Sequence, residues 1–84
     1  MNAIKKARKL IEQNPEGLQA QLISKLVLSL EAETELSLSD LYRLDSKHFD
    51  LVIEILKEWR IDRYYIGKAK LFDLSLQAQK LQLS

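Results

Sequence analysis

Hydrophobic residues recur along the chain at spacings of three and four, which is the period of an amphipathic helix. The longest such stripe predicts a helix over residues 15–33 and consists of Leu18, Leu22, Ile23, Leu26, Val27 and Leu30. Asn14 is a suitable N-cap for this helix, and Pro15 suits its first position because proline has no amide hydrogen to leave unpaired. Because a residue before proline disfavours helical geometry, a separate and shorter helix is predicted upstream, over residues 3–13.

Two further helix starts lie eight residues apart in the middle of the chain. Ser37 is a suitable N-cap for the first, and Asp40 three residues later can complete a capping box with it. Asp45 is a suitable N-cap for the second. This spacing predicts a short helix over residues 37–44, a sharp turn and a longer helix over residues 46–61.

The longer helix carries more hydrophobic positions than one buried stripe needs. Its main stripe, which we expect in the core, consists of Phe49, Val52, Ile53, Leu56 and Trp59. Leu51 and Ile55 add a second apolar line, and a helix that is apolar on two sides is often packed on two sides. We therefore expect this second line to contact a partner protein or a second copy of the chain. The edge of that surface has residue types that dominate interface hot spots, namely Arg60, Arg63, Tyr64 and Tyr65.

The segment after residue 61 fits two structures. With a period of two, alternate residues from Phe72 to Ala78 fall on one face of a strand, and Gly67-Lys68 could turn it onto Tyr64-Tyr65-Ile66 as a hairpin. With a period of 3.6, one helical face is formed by Leu71, Leu74, Ala78 and Leu81. The helix is favoured because residues 69–83 are rich in Leu, Gln, Ala and Lys and lack β-branched types. The predicted fold class is mainly α: a small single-domain helical bundle with a helix-turn-helix-like pair and a C-terminal helix or short β-hairpin.

The composition is that of one globular domain rather than of a disordered or disulfide-rich chain. Of the 84 residues, 46% are hydrophobic and 30% charged, the formal net charge is +1, and there is no cysteine. No apolar stretch approaches the ~20 residues that span a bilayer, and the charges near the start of the chain argue against a signal peptide. We therefore predict a single domain over residues 1–84, located in the cytoplasm and not bound to a membrane.

Residue types that carry catalysis or bind cofactors are scarce. His48 is the only histidine, so a metal site with two histidines cannot form. His48 could act as a general base beside Asp45 or Asp50, but it falls in the first turn of the longer helix, where we expect it to face water. With two glycines in the chain, a phosphate-binding loop is not formed. We predict no enzymatic activity, no cofactor and no bound metal.

A cluster of positive charge in the first predicted helix is the main indication of nucleic-acid binding. Its members are Lys5, Lys6, Arg8 and Lys9. Such a cluster can neutralise the phosphates of a nucleic acid. The competing interpretation is that these residues simply form the polar face of a short helix, where lysine side chains are solvated.

In the order of its elements, the segment 36–76 resembles a winged helix-turn-helix domain: a short helix, a tight turn, a longer helix and a hairpin centred on Gly67. The resemblance implies that the longer helix would be the recognition helix. Its residues at the base edges would be Lys47, His48 and Asp50. The phosphate contacts of the wing would come from Arg63, Lys68 and Lys70.

The charges of the longer helix depart from that family's pattern, because Asp50, Glu54 and Glu58 form a negative row at a spacing of four. DNA phosphates would repel such a row. We therefore expect a non-enzymatic binding or regulatory module that acts through contact with another protein or through self-association. The alternative is a winged-helix-like nucleic-acid-binding regulator that uses the basic first helix and the wing.

Overall fold

The chain forms five α-helices in the computed structural model, which describes residues 3–60 and 65–83. They are α1 (Ala3–Gln13), α2 (Leu18–Ala32), α3 (Leu38–Leu41), α4 (Ser46–Trp59) and α5 (Tyr65–Leu83). No strand occurs within these two ranges. The predicted mainly α bundle is therefore confirmed, and so are the first helix and the short-helix, long-helix pair in the middle of the chain.

The C-terminal segment is a helix, which decides between the two structures that its periodicity allowed. Every third or fourth position of α5 points into the domain, as the burial of Leu71, Ser75 and Ala78 shows. Good helix formers dominate this segment, and a strand would have needed the β-branched residues that it lacks. Residues 65–74, which would have formed most of a wing, belong to this helix.

The start of α2 differs from the prediction, because Asn14 does not cap it. The N-cap is Gly17, whose backbone is extended (φ −66, ψ 152), and the helix begins at Leu18. Pro15 and Glu16 form a turn that the Gly17 amide closes by donating to the Asn14 carbonyl at 3.0 Å. A Cβ at residue 17 would lie 2.6 Å from the Asn14 side-chain nitrogen, so a larger residue there would displace the exposed Asn14 side chain.

The two central caps behave differently from one another. Asp45 caps α4 as predicted, its carboxylate accepting the His48 amide at 2.9 Å. Ser37 is the N-cap residue of α3, but its hydroxyl pairs with Ser39 instead of a helix amide. The predicted capping box is also absent, because the Asp40 carboxylate accepts a hydrogen bond from Lys25 of α2 at 2.9 Å. A charged partner on another helix competes successfully with a weak local cap.

The core forms where α5 packs along both α1 and α2, and α4 packs against α1. Its fully buried large residues come from four helices and include Ile11, Ile23, Ile55 and Leu71. Small buried residues let α2 and α5 approach closely; these are Ala20, Ser24, Ser75 and Ala78. The same contact holds a buried amide: Gln21 donates to the Ala78 carbonyl at 2.8 Å.

The faces of α4 are arranged differently from the prediction. Ile55, assigned to the outer apolar line, is fully buried, whereas Ile53 and Leu56 of the expected core stripe are 38% and 37% exposed. Ile55 is thus a core residue and offers no surface to a partner. The physical reason is Glu58, which is 2% exposed and lies on the buried side of the helix. Val52 of the expected stripe is fully buried, so the observed buried face overlaps the predicted one and is rotated toward Ile55 and Glu58, because a sequence pattern counts an acidic residue as solvent-facing.

Candidate functional site

A buried carboxylate joins α4 to the start of α1. Glu58 accepts hydrogen bonds from the amides of Ala3 at 2.8 Å and Ile4 at 3.2 Å, one on each oxygen. Amides in the first turn of a helix have no partner within the helix, and negative charge is favourable there. Glu58 therefore caps the first turn of α1 from another helix, and its two bonds tie the start of α1 to α4.

A groove of about 720 Å³ runs between these two helices. The apolar part of its lining is Ala3 and Leu10 from α1 and Leu51 from α4, all of which are buried or half-buried. The remaining lining residues are polar or charged: Lys6, Lys9 and Gln13 from α1, and Lys47, His48, Asp50, Glu54 and Glu58 from α4. An apolar strip is therefore bordered by charged side chains on both helices.

The charges at the two borders have opposite sign over most of the groove. Lys6 and Lys9 make the α1 border positive, and Asp50 and Glu54 make the α4 border negative. Within the described part of the chain, neither lysine nor Asp50 takes part in an ion pair, and Glu54 pairs only with Lys57 on its own helix, at 3.4 Å. The borders therefore do not neutralise each other across the groove.

His48 lies at one end of the groove, and it is held there. Its Nδ1 is 2.7 Å from the Asp45 carboxylate, and its side chain is 19% exposed, so the expectation that it faces water is not met. The hydrogen bond from the His48 backbone amide, followed by the one from its ring, lowers the pKa of Asp45 below its ordinary value of 3.8. The pair thus caps α4 and orients the imidazole toward the groove.

The groove gathers a histidine and a buried carboxylate, which raises the question of catalysis. Both oxygens of Glu58 already accept helix amides, so this carboxylate holds structure rather than a reacting proton. The lining contains no serine, threonine or cysteine, so a nucleophile activated by His48 is not assembled there. Over the described residues, no group of three or more His, Asp or Glu side chains is placed to hold a metal ion. The arrangement offers apolar contact and fixed charge, which are the properties of a binding surface.

Of the residues predicted to contact a partner, those that the structure describes do not form one surface. Leu51 lines the groove and Ile55 lies in the core. Arg60 is exposed at the C-cap of α4. Arg63 and Tyr64 lie outside the described residues, as does the side chain of Tyr65.

The residues predicted to contact nucleic acid are divided in the same way. Lys6 and Lys9 line the groove, but Lys5 is exposed outside its lining. Arg8 is half-buried, and its Nε has no hydrogen-bond partner among the described residues. No single basic face therefore unites the four cations of α1.

The two lysines assigned to the wing have different surroundings. The ammonium of Lys68 donates to the Trp59 carbonyl at 2.6 Å and lies 5.3 Å from the centre of the Trp59 ring. It thus pairs with the C-terminal end of α4, where carbonyl groups are free, and is not available to a phosphate. Lys70 is exposed on α5.

Two structural features were missed in the sequence. Glu58 continues the line of Leu51 and Ile55 at a spacing of three and four, which is a signal that the acid shares their buried face. Tyr42 is 74% exposed, and its ring stacks on Phe49 with centroids 6.0 Å apart. No periodicity could reveal that contact, because it joins two helices across a turn.

None of the described helices is both long and apolar enough to cross a membrane. Comparison of the chain with protein families, with curated proteins and with solved structures finds no match.

Proposed function

We propose that this protein is a non-enzymatic binding module that receives an amphipathic helix of another protein in the groove between α1 and α4. The observation that carries the proposal is the apolar strip of Leu10 and Leu51 between a positive and a negative border that do not neutralise each other. Buried apolar contact would supply most of the binding free energy, and the borders would select the ligand.

The shape of the groove favours a helix as the ligand. Its α1 wall is 11 residues long, which corresponds to about 16 Å or three helical turns. An amphipathic helix of similar length presents apolar anchors every third or fourth residue along one line, and such helices commonly bind in grooves between helices. An extended peptide would instead pair with a sheet edge, and the described ranges contain no sheet.

The charges of the groove favour a protein over a nucleic acid. A nucleic acid brings only negative charge, which Lys6 and Lys9 would attract but Asp50 and Glu54 would repel. A protein helix can carry acidic side chains along one flank and basic side chains along the other, so it can satisfy both borders. The ligand that fits is therefore an amphipathic helix with flanks of opposite charge.

Titration of the ¹⁵N-labelled protein with three designed helical peptides of about 14 residues tests this proposal. All three carry the same leucine stripe, and their flanks are mixed (one acidic, one basic), wholly acidic or wholly basic. We expect the mixed peptide to bind most tightly and to shift the amides of the α1 and α4 residues that line the groove. A DNA duplex titrated in parallel should bind more weakly than the mixed peptide.

Charge reversal on the protein provides the matched control. The double variant Lys6→Glu/Lys9→Glu should weaken binding of the mixed peptide about five- to tenfold, since two surface ion pairs of about 0.5 kcal/mol each are lost and replaced by repulsion. Lys5→Glu, on the same helix but outside the groove lining, should change the affinity less than about twofold. Equal effects of the two variants, absence of peptide binding at millimolar concentration, or tighter binding of the duplex would each contradict the proposal.

A further inference from the structure

A second apolar surface lies on α3 and α4, outside the lining of the groove. We call it the α3–α4 ridge, and it consists of Leu38, Tyr42, Phe49, Ile53 and Leu56. Leu38 is 66% exposed and Tyr42 is 74% exposed. Large hydrophobic side chains scattered singly on a surface are ordinary, but a contiguous group of them marks an interaction site.

The ridge is contiguous across both helices. Phe49, Ile53 and Leu56 are spaced by four and three residues, so they form one line along α4. Tyr42 extends this line to the preceding helix, because its ring stacks on Phe49 with an angle of 11° between the planes. Leu38 lies one helical turn before Tyr42 and lengthens the surface further. The result is an apolar ridge with an aromatic end and an aliphatic end.

Two exposed charges of opposite sign border the ridge on α4. Asp50 and Lys57 are seven residues apart, which is two helical turns, so both lie on the same side of the apolar line. Ile53 lies between them, three residues after Asp50 and four before Lys57. This border is therefore antisymmetric about Ile53: acidic toward the start of the helix and basic toward its end.

We infer that a second copy of this chain covers the α3–α4 ridge, with the two α4 helices antiparallel about a twofold axis at Ile53. A twofold interface brings each residue opposite the position equally far on the other side of the axis. Lys57 of one copy then meets Asp50 of the second copy, and the symmetry repeats the pair. The aliphatic end of one ridge packs on the aromatic end of the other.

The charge pattern is the reason to choose a second copy over an unrelated protein. An acid and a base at nearly equal distances on either side of Ile53 complement each other under twofold symmetry, whereas a heterologous partner requires no such placement. Lys57 now pairs with Glu54 at 3.4 Å, but the side chains are 62% and 40% exposed, respectively. An exposed pair of this kind contributes little to stability, so Lys57 can exchange its partner on association.

Analytical ultracentrifugation of the full chain from micromolar to millimolar concentration tests the inference. We expect a reversible monomer–dimer equilibrium, and Ile53→Asp should raise the dimer dissociation constant at least about tenfold. The matched control is Leu76→Asp on α5, which replaces a leucine of similar exposure, 37%, away from the ridge. It should leave the dissociation constant unchanged.

A charge swap tests the antiparallel arrangement itself. Asp50→Lys and Lys57→Asp should each weaken the dimer, and the double variant should restore it, because both intermolecular pairs then form with reversed polarity. All variants change exposed positions, and circular dichroism verifies that they remain folded. A wild-type chain that stays monomeric at millimolar concentration, an equal loss with Leu76→Asp, or a double variant no tighter than the single ones would overturn the inference.

The proposed peptide binding and the proposed dimer are tested by separate variants, so one proposal can be contradicted without the other. Ile53 is not part of the groove lining, so its variant tests the dimer without changing the proposed peptide site. Lys57 also lies outside the lining, but it pairs with Glu54 of the lining, so only the oligomeric state is measured for its variants. Asp50 borders both surfaces, and for that reason only the oligomeric state is measured for its variants.

Discussion

Glu58 is the residue whose environment departs most from what its chemistry alone would predict. A buried ionised carboxylate is costly unless hydrogen bonds compensate the lost hydration, and here the amides of Ala3 and Ile4 provide that compensation. The same two bonds complete the first turn of α1, a basic helix with no acidic residue there. One side chain thus serves as a core residue of α4 and as a cap of α1.

Replacing Glu58 with glutamine tests this role. Glu58→Gln removes the negative charge and one of the two acceptor oxygens, so we expect the free energy of unfolding to fall by about 1–3 kcal/mol. Urea unfolding followed by circular dichroism measures the loss, and hydrogen exchange should show α1 amides losing protection before those of α2. The control Glu54→Gln, at a half-exposed position of the same helix, should change stability by less than about 0.5 kcal/mol. Equal losses in the two variants would contradict the capping role.

At the scale of the elements, the junction between α4 and α5 is held by a contact that is local in sequence but invisible to periodicity. Lys68, in the first turns of α5, donates to the Trp59 carbonyl and lies over the indole ring. The bond places a cation at the C-terminal end of α4, where the helix dipole favours it. The contact holds together the two helices on either side of residues 61–64.

Lys68→Ala should remove both the hydrogen bond and the cation–π contact and lower the free energy of unfolding by about 1–2 kcal/mol. Trp59 is the only tryptophan, so its fluorescence spectrum in the folded state reports directly on the lost cation. The control is Lys70→Ala, which removes an exposed lysine two positions after Lys68 on the same helix. It should leave both the stability and the fluorescence spectrum nearly unchanged. An unaltered tryptophan spectrum in Lys68→Ala would show that the contact is absent in solution.

The caps of the helices show which local signals are reliable. Asp45 caps α4 as its sequence indicates, since no other described group competes for its carboxylate except His48 of the same turn. Asp40 was expected to act locally as well, but Lys25 on another helix binds it at 2.9 Å. A cap predicted from local sequence forms where the side chain has no strong partner elsewhere in the fold. It does not form where another helix supplies such a partner.

At the scale of the whole molecule, the last helix completes the core. α5 packs on both α1 and α2, so hydrophobic residues of the first two helices are covered by a helix far along the chain, and Gln21 and Ala78 in this contact are 57 positions apart. The hydroxyls of Ser24 and Ser75 are buried without a hydrogen-bond partner among the described residues. Such groups oppose stability, and they are retained where small side chains let two helices approach.

Two leucines of α5 allow a direct measurement of this coverage. Leu71 is fully buried and Leu76 is 37% exposed, so Leu71→Ala should lower the free energy of unfolding by about 2–4 kcal/mol, through lost burial and a residual cavity. Leu76→Ala should lower it by less than about 1 kcal/mol. Chemical denaturation of both variants gives the comparison, and similar losses would show that α5 does not close the core as described.

The candidate surfaces also belong to this scale, because each combines side chains from two helices. Leu51 was predicted to contact a partner and Lys6 and Lys9 to contact phosphate; the fold brings all three into one groove. Tyr42 and Phe49 lie on either side of a turn, and their stacking unites α3 with α4 in the ridge. Neither surface could be derived from periodicity, which describes each helix by itself.

The sequence by itself determined the helical class, the first helix within its observed bounds, the cap at Asp45 and the approximate limits of α4. These features depend on the spacing of hydrophobic residues, on helix propensity and on bonds between residues within one or two turns. They can therefore be inferred without knowing which helices pack against one another. Only the tertiary structure decided that the buried side of α4 includes Ile55 and Glu58, because that choice depends on the amides at the start of α1, some 55 residues from Glu58. Burial follows from all the contacts of a side chain, and an acid with two distant donors belongs to the core.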